Sequence, residues 1–263
     1  MTSFAVADSA TMLRRNLRHM VRYPSMTVLL IGLPVVLLLL FVYVFGGTLG
    51  AGLPAAGGEL GRAAYLDYLA PGIVLLTLAS TAQSTAISVA MDMTEGIIAR
   101  FRTMPISRAS VLTGHVLGSL VQAVLAVAVV LGFAVALGFR PDATPVEWLA
   151  AAALVVLVAL ALTWLSVALG LVSRSVETAS NLPMFLILLP FLGSAFVPTD
   201  SMPTGLRWFA EYQPFTPVTE TLRGLLSGTP IGADGPVAAG WCAGIALLSY
   251  LWARRLLARR PVR

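Results

Sequence analysis

The sequence contains no lysine: all seventeen of its basic residues are arginines. That excludes a phosphate-binding P-loop, whose lysine reaches the nucleotide phosphates, and a Schiff-base enzyme, which needs a lysine amine. Histidine occurs only at His19 and His115, and cysteine only at Cys242. One chain therefore cannot assemble a His/Cys zinc site or a disulfide framework. Cys242 stands in an apolar run and reads as a packing residue. No H-E-x-x-H segment is present either. Charge is scarce: 11% of the 263 residues are charged, 58% are hydrophobic and the mean hydropathy is +0.88. Apolar runs long enough to cross a bilayer recur along the chain, which excludes a soluble fold and points to a polytopic helical membrane protein.

What is there falls into a regular order. Residues 11–23 have a helical period, with Leu13, Leu17, Met20 and Val21 on one face and Arg14, Arg15, Arg18 and Arg22 on the other. This predicts an amphipathic helix in the headgroup layer, its arginines also setting topology, with His19 on its polar flank. The basic residues follow about ten mildly polar positions, and the apolar run beyond them is long enough to span, so the start does not read as a signal peptide. Six transmembrane helices are expected at about 26–45, 69–91, 111–137, 148–172, 181–197 and 237–252. Pro34 is expected to kink the first, and Pro183 and Pro190 to bend or break the fifth. The Gly-rich stretch 46–60 reads as a flexible loop, and Arg174 and Glu177 mark a tight turn.

The second span carries Thr77, Ser80, Thr81, Gln83, Ser84, Thr85 and Ser88. So many hydroxyls and amides must face protein or water, either as interhelical hydrogen bonds or as a pathway lining. Thr77, Thr81, Gln83 and Ser84, with Asn181 of the fifth span, are the lining candidates. Residues 198–236 contain Leu206, Trp208, Phe209, Tyr212 and Phe215, an interface-seeking set. Thr216 as N-cap, Pro217 at the first helical position, the stripe Val218, Leu222, Leu225 and Leu226, and Gly228 as a stop outline a helix. Two short extracellular re-entrant helices between spans five and six are the expectation. Tyr65, Tyr68, Trp208, Phe209 and Tyr212 could guide a substrate or form an aromatic belt.

With both termini inside, thirteen arginines fall on the cytoplasmic side and four, Arg62, Arg140, Arg207 and Arg223, on the other. That is a positive-inside pattern. It also places a polar island, residues 91–108, in the cytoplasm, with Asp92, Glu95, Arg100, Arg102 and Arg108 between two apolar runs. The acidic residues lie in or beside loops, whereas a proton- or ion-coupled transporter would place carboxylates near mid-bilayer. The energy source is therefore expected outside this chain. Gly193-Ser194 could suggest an intramembrane serine protease, but His19 and His115 lie at the predicted interfaces, and a small-residue pair of this kind reads as a packing site. His115 itself reads as an interface residue.

The island Glu95-Gly96-x-x-x-Arg100-x-Arg102-x-x-Pro105-x-Ser107-Arg108 resembles the segment joining spans two and three of ABC-2-type permeases. Phe196-Val197-Pro198, Met202-Pro203, Leu206-Arg207, Gln213-Pro214-Phe215-Thr216-Pro217 and Leu222-Arg223 resemble the region before span six in the daunorubicin-resistance (DrrB-like) branch. The likeness runs over essentially the whole chain, read as a single transmembrane domain of residues 1–263. It implies a permease subunit of an ATP-driven exporter in the bacterial inner membrane, not an enzyme, paired with a second permease copy and with ABC ATPase subunits that bind the ATP and magnesium. The island would be a cytoplasmic coupling helix, with Ile97, Ile98 and Phe101 as apolar anchors, Glu95, Arg100 and Arg102 as charged contacts, and Gly96 and Pro105 within the motif. The interfacial helix, with Arg14 and Arg18, would touch the ATPase as well. The implied substrate is a small hydrophobic or amphipathic drug; a lipid or glycan exporter, or a docking protein through which nothing crosses, stays open. Lipid is the expected surrounding, and nothing points to nucleic acid.

Overall fold

The computed structural model describes residues 24–50, 61–94, 108–173 and 175–259. The predicted interfacial helix (11–23) and most of the polar island (95–107) lie outside these. All regular structure among the described residues is helical, as expected of an all-α membrane protein. Helix α1 (Pro24–Leu40) passes into a π-helical turn (Phe41–Phe45) and then α2 (Gly46–Gly50). Next come α3 (Arg62–Thr94), α4 (Arg108–Ala136) and α5 (Pro145–Val172). The fifth segment is α6 (Val176–Asn181), α7 (Met184–Leu188) and a 3-10 turn (Leu189–Leu192). After a second 3-10 turn (Thr199–Ser201) come α8 (Thr204–Tyr212), α9 (Phe215–Ser227) and α10 (Asp234–Arg259).

Among the described residues five helices are long and apolar enough to cross a bilayer: Leu30–Gly50, Arg62–Thr94, Leu112–Ala136, Pro145–Val172 and Asp234–Leu257. The expected fifth span is instead the shorter apolar stretch Val176–Leu192. It breaks before Pro183, which has no N–H for a helical rung, and tightens to 3-10 geometry around Pro190.

Helix α3 is the centre of the bundle. Every residue from Leu69 to Ala82 is buried, and 78% of its most apolar window is buried, against 22% for the first and last spans. A helix enclosed on all sides is a core helix, and its neighbours turn their outer faces to lipid. At thirty-three residues α3 is about 50 Å long, more than a hydrocarbon core needs. Its Arg62 and Asp92 ends therefore extend to the two membrane surfaces. Helix α5 lies so close that a Cβ on Gly170 would stand 2.7 Å from the carbonyl oxygen of Ala86, so only glycine permits this approach.

Three sequence expectations change. The stretch 46–60 is not loop from its start, because Gly46–Gly50 continues the helix. Gly50 is there for proximity: a Cβ on it would meet the Gly61 carbonyl oxygen at 2.1 Å. The helix of the second span begins at Arg62, seven residues before the expected span start at 69, since helix beyond the hydrocarbon need not be apolar. Helix α9 starts at Phe215, with Pro214 at the cap position and no side-chain cap bond. The Thr216 hydroxyl donates to the Ala210 carbonyl at 2.5 Å instead of capping. The stop at Gly228 agrees, with φ +65° in the left-handed region.

Candidate functional site

Polar groups meet at three levels along α3. In the middle, the hydroxyls of Thr77, Ser80, Thr81 and Thr85 each donate to the carbonyl four residues back, at 2.7, 2.9, 2.9 and 3.1 Å. These bonds satisfy the hydroxyls within their own helix, which lets a polar stripe pass through apolar surroundings. Thr85 also reaches across to Ser119 of α4 at 2.6 Å, and Ser119 lies 3.3 Å from Thr163 of α5. One buried chain of hydroxyls thus joins three helices. Thr77 and Thr81 are 0% and 1% exposed, enclosed by their own chain. Gln83 is half-buried and donates from Nε2 to the Ser180 carbonyl of α6 at 2.7 Å. Ser84 is half-buried and Asn181, beside Ser180, is exposed. Among the lining candidates, then, Gln83 and Asn181 are brought to one junction, between α3 and α6.

At the island end, Asp92 of α3 and His115 of α4 are paired, Oδ2 to Nε2, at 3.0 Å. His115, expected at the interface, is 6% exposed. A separate small core packs nearby, built of Val89, Leu112, Val116, Val167, Ala168, Leu171, Ala253 and Leu257. It draws together α3, α4, α5 and α10.

At the opposite end, Arg223 of α9 is the hub. Its Nη1 donates to Glu220, its Nη2 to the carbonyls of Ser194 at 2.8 Å and Tyr68 at 3.2 Å, and its guanidinium lies 3.8 Å from the Tyr68 ring centre. Tyr68 adds a bond from its hydroxyl to Ser194 O at 2.7 Å, and Tyr65 one to Phe196 O at 3.2 Å. Planar guanidinium suits this combination of forked donation and ring stacking. The cluster fastens α9 and the 193–197 turn to α3. Gly193 fits beneath Gln213 and Thr216, where a Cβ would be 2.5 Å from Gln213 Nε2.

Ser194 Oγ is buried with no hydrogen-bond partner, and its backbone carbonyl is engaged by Tyr68 and Arg223. His115 is at the other end of the bundle, and the Gly-Ser pair is held among Gln213, Thr216, Tyr68 and Arg223. The five aromatic residues separate into two sets. Tyr65 and Tyr68 are structural, while Trp208, Phe209 and Tyr212 are 65%, 41% and 65% exposed on α8 and suit a membrane surface. The Arg223 hub was partly visible in the Glu220–Arg223 i,i+3 spacing, but its partners on α3 were not. The expected coupling residues Glu95, Gly96, Ile97, Ile98, Arg100, Phe101, Arg102 and Pro105, with Arg14 and Arg18, lie outside the described residues.

Apolar helices long enough to cross a bilayer, packed around a buried helix whose polar groups are bonded inside the bundle, define a multi-pass membrane protein. Residues 9–226 match the family described as ABC-2 type transporter, and the chain belongs to that family. It is similar to a daunorubicin resistance ABC transporter permease protein, DrrB1, of Streptomyces coeruleorubidus: 26% identical over 226 residues, 86% of this chain and 77% of the relative. It is also similar to a probable doxorubicin resistance ABC transporter permease protein, DrrC, of Mycobacterium tuberculosis: 24% identical over 183 residues, 70% of this chain and 66% of the relative. ABC transporter G family member 20 of Dictyostelium discoideum is 28% identical over 193 residues, 71% of this chain but 25% of that much longer protein.

Proposed function

We propose that this chain is the membrane-spanning permease subunit of an ATP-driven exporter, moving a hydrophobic or amphipathic drug-like molecule out of a bacterial cell across its plasma membrane. The observation that carries this is the family match over residues 9–226, together with relatives named for daunorubicin and doxorubicin resistance. ATP and magnesium are bound by a separate ABC ATPase subunit, since this chain has no P-loop lysine. A second copy of the permease completes the membrane unit. The arginine distribution supports a cytoplasmic position for both termini and the 95–107 segment. There Glu95, Arg100 and Arg102 give charge-assisted contacts to the ATPase, Gly96 and Pro105 shape the segment, and Ile97, Ile98 and Phe101 anchor it. Arg14 and Arg18 make the second contact from the N-terminal interfacial helix.

Movement of a packed element can reach the spans as a rigid-body shift, and the 95–107 segment joins the two helices, α3 and α4, that such a shift must move. The pathway runs along the junction where Gln83 meets α6, past Ser84 and Asn181. Thr77 and Thr81 join it when the helices around them part.

The test is co-expression with the cognate ABC ATPase, followed by ATP hydrolysis measured with and without amphipathic drugs. A stable complex whose turnover responds to drugs, and whose response is lost in Glu95→Ala and Arg100→Ala with folding intact, supports the reading. If no ATPase co-purifies, the permease assignment fails. Turnover that responds to a lipid or glycan and not to drugs reassigns the substrate.

A further inference from the structure

Residues 95–107 connect the last turn of α3 to the first turn of α4. The Asp92–His115 bond crosses between these two helices close to that point: Asp92 is two residues from the end of α3, and His115 is seven residues into α4. Resting on the permease reading above, we propose that Asp92 and His115 are positioning residues for coupling. They close the stem of the segment, so that a push on it moves α3 and α4 as one body.

Three observations carry this. First, the pair is enclosed, with side chains 13% and 6% exposed, so water does not screen it as it screens a surface ion pair. Second, it sits beside the small core containing Val89, Leu112 and Val116. Apolar contacts of that kind hold two helices together but tolerate sliding, and a well-packed apolar pair would stabilise the site as well as an ion pair does. A directed N–H···O bond adds a fixed register, the better-attested use of a polar group in an apolar interface. Histidine Nε2–H donates to the carboxylate in one neutral tautomer and as imidazolium alike, so the register survives either charge state.

Third, the bond continues into the bundle. One turn further along α4, Ser119 bonds Thr85 of α3 at 2.6 Å and approaches Thr163 of α5 at 3.3 Å. Helix α5 is itself seated against α3 at Gly170. A contiguous set of directed contacts therefore connects the stem to a third helix, a route by which its displacement can be carried.

The test uses the full permease–ATPase complex in inside-out proteoliposomes, measuring daunorubicin uptake and ATP hydrolysis together. Asp92→Ala and His115→Ala should assemble with the ATPase and hydrolyse ATP within about twofold of wild type, while daunorubicin moved per ATP falls about fivefold or more. The exchange of Asp92→His with His115→Asp, which rebuilds the bond in reverse, should restore the ratio at least in part. A pair that only stabilised the fold would lower the unfolding temperature and reduce both rates in parallel; that result overturns the proposal. So does an unchanged ratio in both single variants. If the exchange variant folds and assembles but its ratio stays as low as in the single variants, the proposal is again overturned. Wild type that neither assembles with the ATPase nor couples hydrolysis to uptake overturns the permease reading, and the clamp with it.

Discussion

Replacing Arg223 by methionine should lower stability by about 2–3 kcal/mol, a figure built from its contacts. Two charge-assisted bonds to the carbonyls of Ser194 and Tyr68 are removed, each worth about 1.5–3 kcal/mol when made to a charged donor. Stacking on Tyr68 at 3.8 Å adds roughly 0.5–2 kcal/mol, depending on how dry the site is. Against these stand several offsets. Methionine keeps the apolar packing of the arginine stem. Ser194 O retains the Tyr68 hydroxyl, and the buried Arg223 Nε, which has no hydrogen-bond partner, disappears with the substitution. Glu220 is 35% exposed and can turn to water, so the lost ion pair counts near the surface value of about 1 kcal/mol or less. At roughly 2–4 °C per kcal/mol for a chain of this size, the unfolding midpoint should fall about 5–10 °C. Thermal unfolding in lipid nanodiscs, followed by near-ultraviolet circular dichroism, reads this directly. Arg223→Lys, which keeps charge but loses the planar fork, should fall between the two. The Glu220→Gln, Arg223→Met double variant should lose less than the sum of the singles, because the partners interact. If Arg223→Met unfolds within about 1 °C of wild type, the hub is decorative and the reasoning is wrong.

Gly170→Val should cost about 1–3 kcal/mol by overpacking α5 against α3, because its Cβ has no room at 2.7 Å from Ala86 O; an unchanged unfolding midpoint would contradict that contact. Thr144→Ala removes the N-cap of α5, whose hydroxyl accepts from the Glu147 N–H at 3.4 Å. It should lower the midpoint by about 2–4 °C, with drug transport per ATP unaltered. Trp208→Phe should remove fluorescence that is quenched by lipids brominated near the headgroup. If quenching is the same in wild type and variant, the exposed face of α8 does not contact lipid.

Much of the fold could be read from apolar run lengths, because hydrocarbon thickness dictates them whatever the packing. The positions that differ are those where another rule competes. Arg62 and Asp67 look like the edge of a span, yet α3 runs through them, since helix in the headgroup layer can be charged. The start of α5 is legible locally: Thr144-Pro145-Val146-Glu147 is a capping box with proline at the first position, and both reciprocal bonds are present. At Thr216 the local cap signature gives way to tertiary bonding, with the hydroxyl donating to Ala210 O. The site was less legible than the fold. Asp92 and His115 are 23 residues apart, and Arg223 is 155 residues from Tyr68. No period links such positions until helices are set side by side. The sequence places hydroxyls in the second span and correctly requires them to face protein or water. It does not reveal that most are satisfied by their own helix, because the same residues suit a pathway equally well.

The two ends of the bundle are held by different means, and the difference bears on how an external engine could drive it. At the Arg223 end, one guanidinium, two tyrosine hydroxyls and the carbonyls of Tyr68, Ser194 and Phe196 bind α3, α9 and the 193–197 turn into a fixed junction. It adjoins the larger core, which includes Leu38, Tyr65, Leu69, Phe196 and Phe215. At the island end, a cluster of eight buried apolar residues and the Asp92–His115 pair join four helices. Among the described residues the island-end cluster is the smaller of the two, and a force applied there acts on it while the Arg223 cluster holds the far end. Helix α3, buried for most of its length and about 50 Å long, is then the lever between them. Its movement at one end must be taken up along the small-residue contact with α5 at Gly170 and through the hydroxyl chain of Thr85, Ser119 and Thr163. Because Thr85 also bonds Thr81 O within its own helix, the middle of the bundle passes the displacement of α3 on to α4 and α5 without exposing an unpaired group to lipid.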